Sequence, residues 1–274
     1  MEFIHVNGKI VRSAKAFIKP ADHSYRYGHG LFETMKIMDG KILLAGLHFE
    51  RLFNGLSVLK IQNSTLFTQQ TLEKQIIAIC KKNNCEQLAR VRLSVSGGEG
   101  GLYDNSGKLN YIIECRPLPG PVNKLNENGL LIDIFPDAKK SCDVFSNLKS
   151  ANHLPYVMGA RFAKENKLND CLVLNMYNRI CDSTIANIFW IKEDQIYAPP
   201  LSEGCIAGVM RKYLIEKLQA TGYKLQERSC EISDLENADE VFLTNVIHGI
   251  KWVRQFRNKD YVNILTKEIY SIIW

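Results

Sequence analysis

The stretch FSNLKSANHLPYVMGARFAKEN, Phe145–Asn166, decides how this chain is read. From Ala151 the apolar residues Ala151, Leu154, Val157, Met158 and Phe162 recur at helical spacing, which predicts an amphipathic helix over 151–167. Lys149 stands just before it, where the chain leaves an apolar strand region. Judged alone, a lysine is most often solvated. Here burial and the positive end of a helix dipole both disfavour the charged ammonium. A neutral amine attacks aldehydes, so Lys149 is a candidate for covalent capture of a carbonyl.

Pyridoxal phosphate is such an aldehyde, and it asks for two further features. Its phosphate needs a seat, and its pyridine nitrogen needs an acidic partner. The segment EGCIAGVMRKYLIEKL, Glu203–Leu218, offers a seat. Gly204 and Gly208 precede a helical pattern, so the N–H groups of Val209 and Met210 would point out of its first turn. The acidic partner is Asp182, in RICDSTIANIFWI. An aspartate at that point also reads as a turn residue capping Thr184.

Outward from these segments the chain divides into two halves. FIHVNGKIV predicts a hairpin about Asn7-Gly8, and LFETMKIMDGKILLA another about Asp39-Gly40. Helices are predicted over 47–60 and 71–82, followed by the alternating strands LARVRLSVS and LNYIIECRP around GGEGGLYDNSG. The proline-rich RPLPGPVNK marks a linker near residue 120. Beyond it GLLIDIF, CLVLNM, NIFWI and EVFLTNV read as strands, and 151–167, 208–221 and 260–274 as helices. The pattern is α+β in two lobes, residues 1–120 and 121–274.

The composition is that of a globular protein, with 46% hydrophobic and 23% charged residues. No apolar run approaches the ~20 residues of a membrane span, and no signal peptide is expected, so a cytoplasmic location is. The net charge of +6 is spread without a basic run, which suits a small anionic ligand better than nucleic acid. Eight cysteines show no C-x-x-C pair and no Cys/His cluster, so no metal site is expected. Cys80, Cys115, Cys171 and Cys181 lie in apolar segments and read as reduced core residues.

Taken together, these segments resemble the fold-type IV pyridoxal-phosphate enzymes, or class IV aminotransferases, over nearly the whole chain. YRYGHGLFETMKIMDGKILLAGLHFERL resembles the family's Y-G-x-G-x-F-E-T opening and its H-x-x-R-L segment. LKSANHLPYVMGA resembles its lysine segment, NRICDSTIANIFWI its acidic segment, and CIAGVMRKYLIE its helix start. The resemblance implies a D-amino-acid-aminotransferase-like fold. It has a small N-terminal α/β lobe and a larger C-terminal lobe with a barrel-like sheet that carries the lysine and the phosphate seat. It also implies a homodimer.

The roles follow residue by residue. Lys149 resembles the Schiff-base lysine, and Arg51 the phosphate-binding arginine. Asp182 stands where the family usually has a glutamate facing the ring nitrogen. Val209 and Met210 stand at the phosphate helix, and Asn245 and Val246 at a second phosphate loop. Met210 replaces a common threonine, Val246 a small or hydroxyl residue, and His29 a frequent aspartate.

Among the branches, FLTNVIHGI most resembles aminodeoxychorismate lyase, with Gly249 where the aminotransferases carry a glutamate. GGEGGLY is similar to the lyase's glycine-rich loop. The expected reaction releases 4-aminobenzoate and pyruvate, in the folate pathway. Arg90 and Arg92, alternating on one strand face, are candidates for a dianionic substrate, as are Thr34, Tyr103 and His248. A branched-chain or D-amino-acid aminotransferase is the alternative, and a non-catalytic family member that binds the cofactor is a third.

Overall fold

The computed structural model describes residues 2–103, 108–120, 122 and 124–273. Asp104–Gly107 of the glycine-rich loop and Pro121 and Asn123 of the linker lie outside the described residues. The chain forms two compact units. One comprises residues 1–122 together with 148–152, the other 123–147 and 153–274.

The first unit contains the strands β1 (Phe3–Val6), β2 (Lys9–Arg12), β3 (Gly30–Met38), β4 (Lys41–Ile42), β5 (Leu88–Ser96) and β6 (Asn110–Pro117). They form one antiparallel sheet in the order β2-β1-β6-β5-β3-β4. Both predicted hairpins are present. Asn7 and Gly8 have φ of 46° and 90°, and Asp39 and Gly40 have 47° and 72°. Positive φ at both central residues gives a turn whose twist matches the strands. The helices α1 (His23–Tyr27), α2 (Ala45–Val58) and α3 (Gln69–Lys82) complete the unit. Phe49, Leu52 and Leu56 of α2 and Leu72, Ile76 and Ile79 of α3 are buried against Met35, Ile37, Val91 and Leu93 of the sheet. That apolar burial is what holds helices of this length in place.

Residues 148–152 belong to this unit because β3 leaves them an open edge. β4 covers only Ile37 and Met38, so the backbone at Gly30–Phe32 has no strand on that side. The Phe32 N–H donates to the Lys149 carbonyl at 2.9 Å, and the Ala151 N–H to the Gly30 carbonyl at 2.9 Å. Lys149 is therefore held on a strand edge. The following helix, α4 (Leu154–Glu165), begins three residues later than its apolar spacing predicts, with Pro155 in its first turn. Proline disfavours helical geometry in the residue before it. Lys149 is thus five positions before the helix in sequence, outside its first turn.

The second unit is built on β7 (Leu130–Lys140), β8 (Asp170–Asn175), β9 (Ile180–Ser183), β10 (Asn187–Lys192), β11 (Gln195–Ala198), β12 (Leu225–Glu227), β13 (Glu240–Asn245), β14 (Gly249–Phe256) and β15 (Lys259–Asp260). The sheet order is β12-β11-β10-β13-β14-β7-β8-β9, with β15 paired to β14. β9 returns beside β10, which curls the sheet into a half-barrel. The helices are α4, α5 (Val209–Ala220), α6 (Ile232–Glu236) and α7 (Ile264–Ile273). Trp190, Ile188, Leu172, Val253 and Phe256 fill the main core of the curl.

Candidate active site

In the first unit the candidate residues gather around Lys149. Leu148, Lys149, Phe32, Glu33, Arg51 and Gly55 line one small cavity. The Lys149 amine lies 4.7 Å from the centre of the Phe32 ring, and the Arg92 guanidinium carbon lies 3.7 Å from it. One aromatic ring thus supports two cations through its electron-rich face. Arg92 Nε also donates to Ser94 Oγ at 3.1 Å, and burial works against the Arg92 charge.

Arg51 is held by a buried carboxylate. Its Nε donates to Glu33 Oε1 at 2.8 Å and its Nη2 to Glu33 Oε2 at 2.6 Å, a two-pronged pair. His48 Nδ1 adds a bond of 2.7 Å to Glu33 Oε2. Burial alone would raise the Glu33 pKa. The Arg51 charge and the bonds from His48 and Arg51 outweigh it and hold the carboxyl at about 2. Glu33 and His48 come from β3 and α2, within the Tyr25–Leu52 segment that carries Arg51.

The other first-unit candidates are placed differently. Thr34 is half-buried and pairs with Arg92 across β3 and β5. Arg90 is exposed, opposite Lys36 on the same pair of strands. Tyr103 is 95% exposed and makes no part of the Lys149 cavity.

In the second unit Asp182, on β9, is the hub. Its Oδ2 accepts from Lys140 Nζ at 3.2 Å, the Tyr156 hydroxyl at 2.8 Å and the Ile206 N–H at 2.9 Å. Its Oδ1 accepts from Asn187 Nδ2 at 2.9 Å. Burial raises the Asp182 pKa, while the Lys140 charge, the Ile206 amide and the Tyr156 hydroxyl pull it back. Burial, and then the Asp182 charge, push the Tyr156 hydroxyl well above its usual range. Lys140 also bonds the Gly204 and Ser146 carbonyls and the Tyr156 hydroxyl.

The same contacts tie Asp182 to the start of α5. Asn187 Nδ2 bonds both Asp182 and the Ile206 carbonyl. Gly208 is the α5 N-cap, and no side chain caps the helix there. A Cβ on Gly208 would lie 1.8 Å from Asn187 Oδ1, so only glycine leaves Asn187 in place. Val209 and Met210 follow with buried side chains, leaving backbone N–H groups as their polar offering. Such a bare helix start suits an anion. Asn187 pairs with Thr244 across β10 and β13, which sets the next residues, Asn245 and Val246, close by. Asn245 Oδ1 accepts from the Ile247 and His248 N–H groups and shapes the turn, while Val246 is buried. His248 is half-buried in that turn.

Sequence reasoning missed Lys140, Tyr156, Asn187, Glu33 and His48. Tyr156, Asn187, Glu33 and His48 sit inside quoted motifs. Lys140 carries no local signal, and only folding brings it and Tyr156 to Asp182. In the first unit Arg51 offers a charge to a phosphate and Lys149 an amine to an aldehyde. In the second unit the bare α5 start offers N–H groups to an anion and Asp182 a carboxylate to a protonated ring nitrogen, and each set has the chemistry that pyridoxal phosphate asks for.

The profile of the family described as amino-transferase class IV matches residues 30–256. The aminodeoxychorismate lyase of Bacillus subtilis (strain 168) is 30% identical over 251 residues, covering 89% of this chain and 83% of that protein. The solved 4-amino-4-deoxychorismate lyase of Pseudomonas aeruginosa superposes with a TM-score of 0.85 at 25% identity, covering 98% and 97% of the two chains. The branched-chain amino acid aminotransferase of Escherichia coli gives 0.88 at 20% identity, covering 98% and 92%, and so bears on the fold alone. The chain belongs to the class IV aminotransferase family, whose members are pyridoxal-phosphate-dependent lyases and aminotransferases.

Proposed function

We propose that this protein is a pyridoxal-phosphate enzyme that cleaves 4-amino-4-deoxychorismate to 4-aminobenzoate and pyruvate. The observation that carries this reading is Gly249. It closes the β13–β14 turn with φ of 67°, in register with Asn245. A side chain is strained in that conformation, so this turn is built to lack the glutamate of the aminotransferase branches. The identity to the Bacillus subtilis lyase supports the same choice.

When bound, the cofactor supplies a sink for the electrons of the substrate's α-carbon. The chain's own residues do the rest. Lys149 Nζ would hold the cofactor's aldehyde, and as a free amine it is the group placed to take the proton from the substrate's α-carbon. It then returns a proton to the departing enolpyruvyl group. Phe32 holds Lys149 and Arg92 at its face, so Arg92 is the group to receive a substrate carboxylate. In the first unit Glu33 fixes the plane of Arg51, which would meet a phosphate with two N–H groups, and in the second the N–H groups of Val209 and Met210 would receive an anion. Asp182 Oδ1 has Asn187 as its partner among the described residues and keeps acceptor capacity for a protonated ring nitrogen.

The same reading includes a homodimer acting in the folate pathway in the cytoplasm, on a small anionic substrate and without nucleic acid or membrane. Leu154, Val157 and Met158 form an exposed apolar face on α4, which favours a second copy. Among the described residues no helix is long and apolar enough to cross a membrane.

The test is a paired assay. Aminodeoxychorismate should yield equimolar pyruvate and 4-aminobenzoate with no added keto acid. Isoleucine and D-alanine should convert the cofactor to its amine form slowly at most. Rapid conversion by either amino acid, with no 4-aminobenzoate formed, would assign an aminotransferase. Borohydride treatment of the cofactor-loaded protein should fix the adduct to the Lys149 peptide, and Lys149→Ala should abolish both the adduct and turnover.

A further inference from the structure

The last turn of α3 carries Cys80, and the chain then bends back on itself. Asn84 adopts φ of 54°, and the Cys85 N–H donates to the Cys80 carbonyl at 3.0 Å. The C-x4-C spacing of these residues falls within the range used by zinc-binding loops. A third cysteine arrives from the neighbouring sheet, Cys115 on β6. The three sulfurs lie within 4.8 Å of one another, and those of Cys85 and Cys115 are 3.6 Å apart. All three residues are buried.

We propose that Cys80, Cys85 and Cys115 form a binding site for one soft, thiophilic metal ion, of the Cu(I) or Zn(II) class. An ion ~2.3 Å from each of three sulfurs holds them roughly 3.8–4.0 Å apart. The Cys85–Cys115 side, at 3.6 Å, is already close to that spacing, and no side exceeds it by more than about 1 Å. Among the described residues no histidine or carboxylate joins the group, and thiolates without oxygen or nitrogen select soft ions.

A second, independent feature prepares the sulfur for this role. Asn83 Nδ2 lies 3.2 Å from Cys115 Sγ while also donating to the Phe3 and Ile79 carbonyls at 2.8 and 3.2 Å, so an amide donor sits beside the sulfur where it can orient a ligating thiolate. Without an ion, Cys85 and Cys115 donate weakly to the Cys80 and Ile79 carbonyls at 3.6 and 3.5 Å. Binding replaces three S–H bonds by three sulfur–metal bonds and releases three protons to solvent, with no change of oxidation state. Lys81 and Lys82, in the same helical turn, offset the negative charge that a divalent ion leaves on three thiolates. The reduced protein needs this site for none of the steps assigned to Lys149.

The test uses the full-length, reduced protein with Cd(II) as the probe. One equivalent should bring up a sulfur-to-cadmium charge-transfer band in the ultraviolet. In mild denaturant, where buried thiols become reachable, the bound ion should also slow alkylation of Cys80, Cys85 and Cys115, but not of Cys142, read by mass spectrometry. Cys115→Ser should weaken binding by more than the ~10–100-fold expected from Asn83→Ala, which removes a partner of a ligand. Titrations with Zn(II) and Cu(I) against competing chelators then tell which ion is held more tightly. A missing band, or alkylation of the three cysteines unchanged by cadmium, would overturn the site. So would a band that survives in Cys115→Ser. Should that variant fail to fold, the alkylation map of the unaltered protein decides.

Discussion

Lys140 Nζ lies 3.2 Å from Asp182 Oδ2, and both side chains are buried in the second unit. The ammonium opposes the burial that raises the Asp182 carboxyl. Lys140→Met should therefore raise it further. A carboxyl raised in the folded state favours folding below its unfolded pKa, and that advantage is lost as pH rises through the folded value. The variant should be less stable than the unaltered protein by about 3 kcal/mol at pH 8, the cost of a buried charge without its partner. At pH 4, nearer to the range in which the carboxyl takes up its proton, the loss should shrink. Urea unfolding at the two pH values measures it, and an equal loss at both would remove Lys140 as the charge partner.

Glu33 gives the opposite sign. Its folded pKa is about 2 against an ordinary 4.5, and the Arg51 charge and the His48 and Arg51 bonds hold it there against burial. The stabilisation is fully present above 4.5 and is lost as pH falls through 2. It is on the order of 3 kcal/mol. Glu33→Gln should lose that much at pH 7, and its deficit should close as acid is added. A deficit that stays constant down to pH 2 would contradict the pairing.

Arg51 has two tasks, and its variants should separate them. Arg51→Ala should weaken pyridoxal phosphate binding by roughly 1.5–3 kcal/mol, the worth of a charge-assisted contact. It should also destabilise the first unit, because Glu33 is left buried. Arg51→Lys keeps the charge but loses the two-pronged geometry, so it should recover stability only in part. Spectroscopic titration with the cofactor reads the first effect and chemical unfolding the second. An unchanged dissociation constant in Arg51→Ala would take Arg51 out of the phosphate seat.

Gly208→Ala tests the α5 start without touching a charge. Gly208 has ordinary backbone angles, φ of −65° and ψ of 131°, so alanine adds no backbone strain there. Its Cβ would, however, sit 1.8 Å from Asn187 Oδ1. Asn187 would have to move, breaking its bonds to Asp182 and the Ile206 carbonyl. The expected loss is about 1–3 kcal/mol of stability together with weaker cofactor binding. A variant with unaltered stability and affinity would show that Asn187 is not the link between Asp182 and the phosphate seat.

Local patterns carried much of the fold. Asn7-Gly8 and Asp39-Gly40 specify their turns because few residues tolerate positive φ in succession. The leucines of α2 and the Leu72–Ile76–Ile79 face of α3 mark the helices by periodicity. The short strands β9, β11, β12 and β15 were not legible, because two to four residues carry too little periodicity to stand out, and the longer β14 was missed as well. The start of α4 was misread because Ala151 continues the apolar spacing while backbone pairing with Gly30 holds it in extended form.

The sequence by itself determined the candidate chemistry: a lysine, an arginine, an acidic residue and a glycine-led helix, in an order that belongs to one family. Those residues sit in contiguous segments, where spacing is informative. Only the tertiary structure decided which groups answer one another. Lys140 and Tyr156 reach Asp182 across 42 and 26 residues, and Arg92 and Lys149 each approach the ring of Phe32. Cys115 joins Cys80 and Cys85 although no local spacing connects them. Burial and charge pairing between distant segments depend on how sheets and helices pack, and a linear pattern does not encode those distances.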